Sequence, residues 1–267
     1  MSRLTDERYA ELCGDLQFAS VFQLGGLVKR AGIAVEVAAM GSATKEESAE
    51  DLVTFGGVEA KQIKYVWDIC QDIANSILHR GRTPQYLKSV ALLLLGTAAV
   101  ESGLTVRRQV PFPPNNKGGF GLWQIEKGSV ETSLPYLERV DRLPQWLKTL
   151  IVGKTPLELL ACFAYSGTIS SGPELTTIRY PSINDRLCCA FARTHYYWMS
   201  PNPIPIAVTP GGHLLSVVDG WLSKHGWLSE HARYWKQCYN TPLGAGTEER
   251  YIETFKQVCL PFLDSIA

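Results

Sequence analysis

The chain has 267 residues, of which 45% are hydrophobic and 10% aromatic. That is enough to bury a sizeable core, which excludes global disorder. Twenty-six Lys and Arg balance 26 Asp and Glu, so there is no broad basic field of the kind that non-specific binding to nucleic acid or to an anionic membrane needs.

The first residues, MSRLTDERYAEL, are polar and charged, without the apolar region of a signal peptide. Residues 1–55 then lack strong periodicity. They read as an arm or small subdomain for assembly, or as extra helices packed on the main domain. Thr44 and Glu47 have the spacing of a capping box and predict a helix to Thr54. Gly56-Gly57 breaks the chain. From Val58 to Leu78, Ile63, Val66, Trp67, Cys70, Ile73 and Ile77 recur at three- and four-residue spacing, so one helical face is core.

Thr83-Pro84 is a cap followed by proline at the first helical position. The helix it opens is apolar all round through Val100, which predicts a buried central helix, with Gly103 as its stop. Its apolar run, Val90–Val100, is too short to span a membrane at roughly 20 residues. The prolines and glycines of Pro111–Gly119 exclude a regular element there. A small hairpin around Val106–Gly121 remains compatible with the pattern. Shorter helices are predicted over Pro144–Val152, Pro156–Tyr165 and Ile183–Met199, the last capped by Ser182 with Asp185. A Pro-rich loop, Pro201–Pro210, precedes helices over about Leu214–Lys224, Ser229–Tyr239 and Glu248–Ile266. The fold class expected is mainly α.

Seven cysteines are present, an odd number, and none shows the C-x-x-C spacing of a zinc or redox site. They read as reduced core thiols of a protein made in a cytoplasm. His195, His213, His225 and His231 have no tight metal spacing and read as surface or cap residues. No metal and no organic cofactor is expected.

The informative segment is Thr97-Ala98-Ala99-Val100-Glu101-Ser102-Gly103. A glutamate closes an otherwise apolar helix, beside the core and near the negative end of the helix dipole. Both effects disfavour its ionised form. A carboxylic acid still protonated near neutral pH is what glycosidic cleavage needs, because it must hand a proton to the leaving oxygen. Taken alone, such a glutamate is more often just the exposed end of its helix. Downstream come Gly119-Phe120-Gly121-Leu122-Trp123-Gln124-Ile125-Glu126 and Ala164-Tyr165-Ser166-Gly167.

In that order, Glu101-Ser102, Gly121-Leu122-Trp123-Gln124 and Ala164-Tyr165-Ser166-Gly167, the chain resembles the lysozyme-like lytic transglycosylase superfamily. The third motif departs from the family pattern, with Ser166 where Asn is usual. The strings LLLLGTAAVESGL, RRQV, GGFGLWQIE and NDRLCCAFARTHYYW also resemble phage-encoded virion or morphogenesis proteins with a lysozyme-like core, over about Trp67 to Tyr239. Residues 1–60 fall outside the resemblance; the organisation expected is the arm over 1–55, a lysozyme-like helical domain over 56–200 and a helical extension over 201–267 packed on the core.

The resemblance also implies roles. Glu101 would be the catalytic acid and then the base, and Ser102 would help orient it. Gln124 and the backbone near Gly121 would hold the N-acetylated sugar or the glutamate, and Tyr165 would direct its hydroxyl to the carboxyl. The substrate's own N-acetyl group can stand in for a second carboxylate, giving a 1,6-anhydro product. Glu126 is the alternative second carboxylate, favouring hydrolysis, although a solvated charge is the plainer reading of it. Arg107 and Arg108, with Gln109, read as ordinary loop charges or as contacts to a glycan or a subunit. Trp221, Trp227 and Trp235 read as core or interface packing, with a sugar-stacking wall as the alternative. Ser102 has no His/Asp partner in sequence, which disfavours a serine triad.

The implied partners are peptidoglycan glycan strands and other virion proteins, in an oligomeric particle assembled in the host cytoplasm. Neither a specific nucleic acid nor a transmembrane segment is expected. Two functions compete: a virion-associated enzyme that opens the cell wall locally for genome entry, and a catalytically silent head, neck, tail or ejection component on the same fold. An endolysin acting at lysis is a third, less favoured by the arm.

Overall fold

The computed structural model describes residues 53–77, 82–106, 118–140, 143–165, 183–199, 203–208, 226–240 and 244–266. The expected helices at Thr44–Thr54 and Leu214–Lys224 lie largely or wholly outside them. So do the arm over 1–52, most of the suggested hairpin at Val106–Gly121, and Arg107, Arg108, Gln109, Ser166, Ser182 and Trp221.

The described chain is mainly helical. It opens on a two-stranded antiparallel hairpin, β1 (Thr54–Phe55) and β2 (Val58–Glu59), with Phe55 opposite Val58. Gly56 and Gly57 take φ of +55° and +80°. Both turn positions therefore need the left-handed region, which is why two glycines make this turn. Thr54, expected in a helix, is a strand residue here.

Helix α1 (Ala60–Ser76) buries the stripe predicted for it: Ile63, Val66, Trp67, Cys70 and Ile73. It packs along α2 (Pro84–Ser102). At the head of α2 the Thr83 hydroxyl accepts the Tyr86 N–H at 3.2 Å, and Pro84 fills the first helical position, where a missing N–H costs nothing. Every residue from Ser89 to Val100 is buried, as its unbroken apolar composition requires. Gly103 stops the helix in the left-handed conformation at φ +58°.

Helices α3 (Lys127–Arg139), α4 (Gln145–Ile151), α5 (Pro156–Tyr165) and α6 (Ile183–Met199) follow. The last two match the bounds read from sequence. Helix α3 is not among the elements expected from sequence. Its Gly128 and internal Pro135 obscure the periodicity, yet Val130, Ser133, Leu134 and Leu137 are buried from it. Asp185 in the first turn of α6 accepts the Tyr65 hydroxyl at 2.6 Å across to α1.

The chain then extends through 203–208 and returns as α7 (Trp227–Trp235), which runs straight into a π turn, Lys236–Asn240. Helix α8 (Glu248–Thr254), a second π turn (Phe255–Cys259) and α9 (Leu260–Ser265) complete it. Helices α7 and α8 and the second π turn lie against α2. Gly96 makes the α8 crossing close, since a Cβ there would run into the Tyr251 hydroxyl.

Among the described residues all cysteines are free thiols, five of them buried and Cys162 half-buried. No described helix is long and apolar enough to cross a membrane.

Candidate active site

Helix α2 delivers Glu101 from the core to the floor of a cleft of about 990 Å³. Two structures face each other across it. One is the end of α2 with the turn at Phe120–Ile125. The other is α7 with its π turn, the glycine loop 244–246 and α8.

The turn is fixed by backbone geometry. Phe120 and Ile125 exchange both hydrogen bonds of an antiparallel pair, N to O at 3.0 and 2.8 Å. The four residues between them are the Gly-Leu-Trp-Gln motif. Gly121 has φ +71°, and a Cβ on it would run into Cys188 Sγ. Leu122 and Trp123 are fully buried, and the Trp123 indole N–H donates to Leu94 O of α2 at 2.9 Å. That bond ties the turn to the helix bearing Glu101. The peptide oxygen of Trp123 in turn accepts the Tyr239 hydroxyl at 2.6 Å, which ties the turn to the opposite side.

Gln124 lines the cleft at φ +47°, a left-handed conformation uncommon for a side-chain-bearing residue. Its amide N–H₂ donates to Gly121 O at 2.8 Å and to Val106 O at 3.2 Å. Gly119 passes so close that a Cβ on it would lie 2.6 Å from Gln124. Gln124 therefore braces the loop entrance, and its amide hydrogens are committed to backbone.

Glu101 is held by Trp235, flagged in the sequence only for its ring face, and by residues that carry no sequence signal. The Trp235 indole N–H donates to Glu101 Oε1 at 3.1 Å, and the Asn240 side chain hydrogen-bonds the same carboxyl. The π turn makes this pair. In an α-helix, at about 100° per residue, two residues five apart diverge by about 140°. Hydrogen bonding from i to i+5 brings residue 240 back nearly above residue 235. Arg250 of α8 donates to Val100 O at 3.3 Å, over the exposed end of the α2 carbonyls.

Burial is the largest influence on Glu101 and pushes its pKa above the ordinary carboxylate value. The Trp235 and Asn240 donors and the Arg250 charge pull the other way, while the charge of Glu126, which lines the same cleft, adds to the rise. The net result is a carboxyl biased towards its protonated form but surrounded by groups that stabilise the anion.

Ser102 lines the same cleft, but its hydroxyl donates back to Ala98 O at 2.8 Å, inside its own helix. Gly121 serves the turn and is buried. Tyr165 is the last residue of α5, and its side chain is outside the described set. Glu126 is exposed, precedes α3 and lines the cleft.

Of the histidines read as surface or cap residues, His231 is interior and His195 half-buried. His231 has no exposed surface and pairs its Nε2 with Pro205 O at 2.9 Å; burial holds its pKa down at about 4. His195 lines the cleft, packs edge-on to Tyr239 at 5.3 Å and has its pKa lowered by burial. Among the described residues no group of three or more His, Cys, Asp or Glu is gathered as metal donors would be.

No protein-family model matches the chain, and no curated protein or solved structure matches it.

Proposed function

We propose that the cleft binds a peptidoglycan glycan strand and cleaves the β-1,4 bond between N-acetylmuramic acid and N-acetylglucosamine, with Glu101 as the acid. The observation that carries this reading is the placement of Glu101, a half-buried carboxyl at the end of an apolar helix that opens to a sugar-sized cleft. The Glu101 O–H gives its proton to the glycosidic oxygen as the C1–O bond breaks. The acetamido oxygen of the same sugar bonds to C1 and carries the positive charge. Glu101, now anionic and held by Trp235 and Asn240, takes the proton of the attacking hydroxyl as its oxygen displaces the acetamido group. Attack by the sugar's own O6 gives a 1,6-anhydro end; attack by water, with Glu126 at hand, gives a hydrolysed one.

The biological setting proposed is a phage virion, with cleavage opening the wall locally during genome entry. A silent structural component on the same fold is the second reading. It is favoured by Tyr197, Trp198 and Met199, 43–48% exposed at the end of α6, which give an apolar surface suited to packing within an assembly.

The experiment is to incubate purified protein with peptidoglycan and identify released muropeptides by mass spectrometry. Release by wild type and not by Glu101→Gln is the expected result, and the anhydro or reducing end decides lyase against hydrolase. Equal background release from both proteins leaves the structural reading in possession.

A further inference from the structure

Lys236 and Asn240 stand at the two ends of the first π turn. Lys236 Nζ donates to Asn240 Oδ1 at 2.9 Å and to Gly244 O at 2.8 Å. An ammonium has donors and no acceptor. It can therefore face only the oxygen of the Asn240 carboxamide, which turns the N–H₂ away from it. The side of Asn240 left over is the one that meets Glu101. A flipped amide would set N–H₂ against the ammonium and oxygen against the carboxyl, losing both contacts. The glycine loop closes over this arrangement, since a Cβ on Gly246 would lie 2.9 Å from Asn240 Nδ2.

We propose that Lys236 is a positioning residue that fixes the Asn240 carboxamide in the one orientation able to donate an N–H to Glu101, and so tunes the acidity of that carboxyl through a neutral intermediary. The inference rests on the reading of Glu101 as the proton donor. An ammonium paired directly with Glu101 would hold it ionised and useless as an acid. A polarised amide instead supports the anion that forms after proton transfer while leaving the acid form accessible.

The other groups that bear on Glu101 come from separate elements. They are the Trp235 indole on α7, Arg250 on α8 and Glu126 ahead of α3. Tyr196 on α6 and Tyr239 in the π turn also lie close enough to feel its charge, and His195 on α6 lines the same cleft. All are unchanged in the variants below.

The test titrates Glu101 itself by ¹³C NMR in the full-length protein with carboxyl-labelled glutamate, the resonance being assigned by its loss in Glu101→Gln. In Lys236→Met the Glu101 midpoint moves to higher pH. Asn240→Asp keeps a partner for Lys236 but replaces the N–H with an oxygen, and the midpoint moves higher as well, because a second acid now faces the first. Lys236→Arg, which keeps a donor-only cation, lies nearer wild type than Lys236→Met.

An unchanged midpoint in Asn240→Asp overturns the proposal, as does a shift in Asn240→Asp with none in a folded Lys236→Met. Should Lys236→Met fail to fold, Asn240→Asp still decides whether the amide acts on Glu101. Because the titration reads the carboxyl and not glycan release, failure of this inference and failure of the proposed activity are told apart.

Discussion

The two sides of the cleft are built in different ways. The side bearing Glu101 and Gln124 comes from two stretches close in sequence, 97–106 and 118–126, and is shaped by apolar packing and backbone turns. The facing side reaches Glu101 from 134 residues further along the chain, at Trp235, and supplies polar donors and a guanidinium. The first side sets where the carboxyl stands; the second supplies the groups that oppose the rise in its pKa that burial brings. Position is thus a local property of the chain and the opposition to that rise a non-local one.

That division can be broken most severely at Glu101. Glu101→Gln is expected to lower muropeptide release by about 10²–10⁴-fold, the range for loss of a general acid-base group. It also removes a half-buried acid whose pKa is raised by burial. A carboxyl whose folded pKa is raised contributes stability that is complete below its unfolded value and is lost as pH rises through the folded value. The variant should therefore gain Tm over wild type at alkaline pH and lose that gain at acid pH, as scanning calorimetry will read.

The donor side has its own acid weakness in His231. Its folded pKa of about 4 lies below the ordinary 6.5 because burial disfavours the cation. The unfolded chain takes up the proton first as pH falls, so stability present above 6.5 is lost towards 4. A depression of that size corresponds to about 3 kcal/mol. His231→Gln should flatten that acid limb in urea denaturation compared between about pH 7 and about pH 4.5; an unaltered limb would show that His231 is not its source.

The seam between the sides is tested by Gly96→Ala, whose added methyl meets the Tyr251 hydroxyl. The expected cost is about 1–3 kcal/mol, the usual range for overpacking, measured as a lower urea midpoint with no change in slope. The mildest perturbation is Trp235→Phe. It deletes one N–H donor to Glu101, so the Glu101 pKa rises further. The alkaline limb of the activity profile, where the acid form is lost, should move to higher pH with only a few-fold change in maximal rate.

The legible parts of this fold are those where one physical signal dominates. Helix α2 is readable because a continuous apolar run bounded by Thr83-Pro84 and Gly103 has no other stable place than a core. Helices α5 and α6 begin and end where sequence suggests, because proline and apolar spacing mark them. Helix α3 escapes because Gly128 and Pro135 break its pattern while burial on one face still holds it.

The site divides in the same way. Glu101 and Gln124 stand out from their own neighbourhoods. Trp235 stands out too, but for its ring face; nothing around it in sequence places its indole N–H on Glu101. Asn240, Lys236 and Arg250 carry no local signal at all. Their arrangement depends on a π turn that a search at 3.6-residue spacing passes over, and on the crossing of α8 over Gly96. The histidines mislead because polarity alone does not tell that His231 finds a backbone oxygen inside.

The π turn at Lys236–Asn240 is in effect one residue more than an α-helix would need. Deleting a single codon there would restore ordinary helical winding. Asn240 would then follow Trp235 by four residues, and at about 100° per residue the two would still share one face of the helix. The turn thus takes up one extra residue between the two donors to Glu101 while holding both of them on the face that meets it.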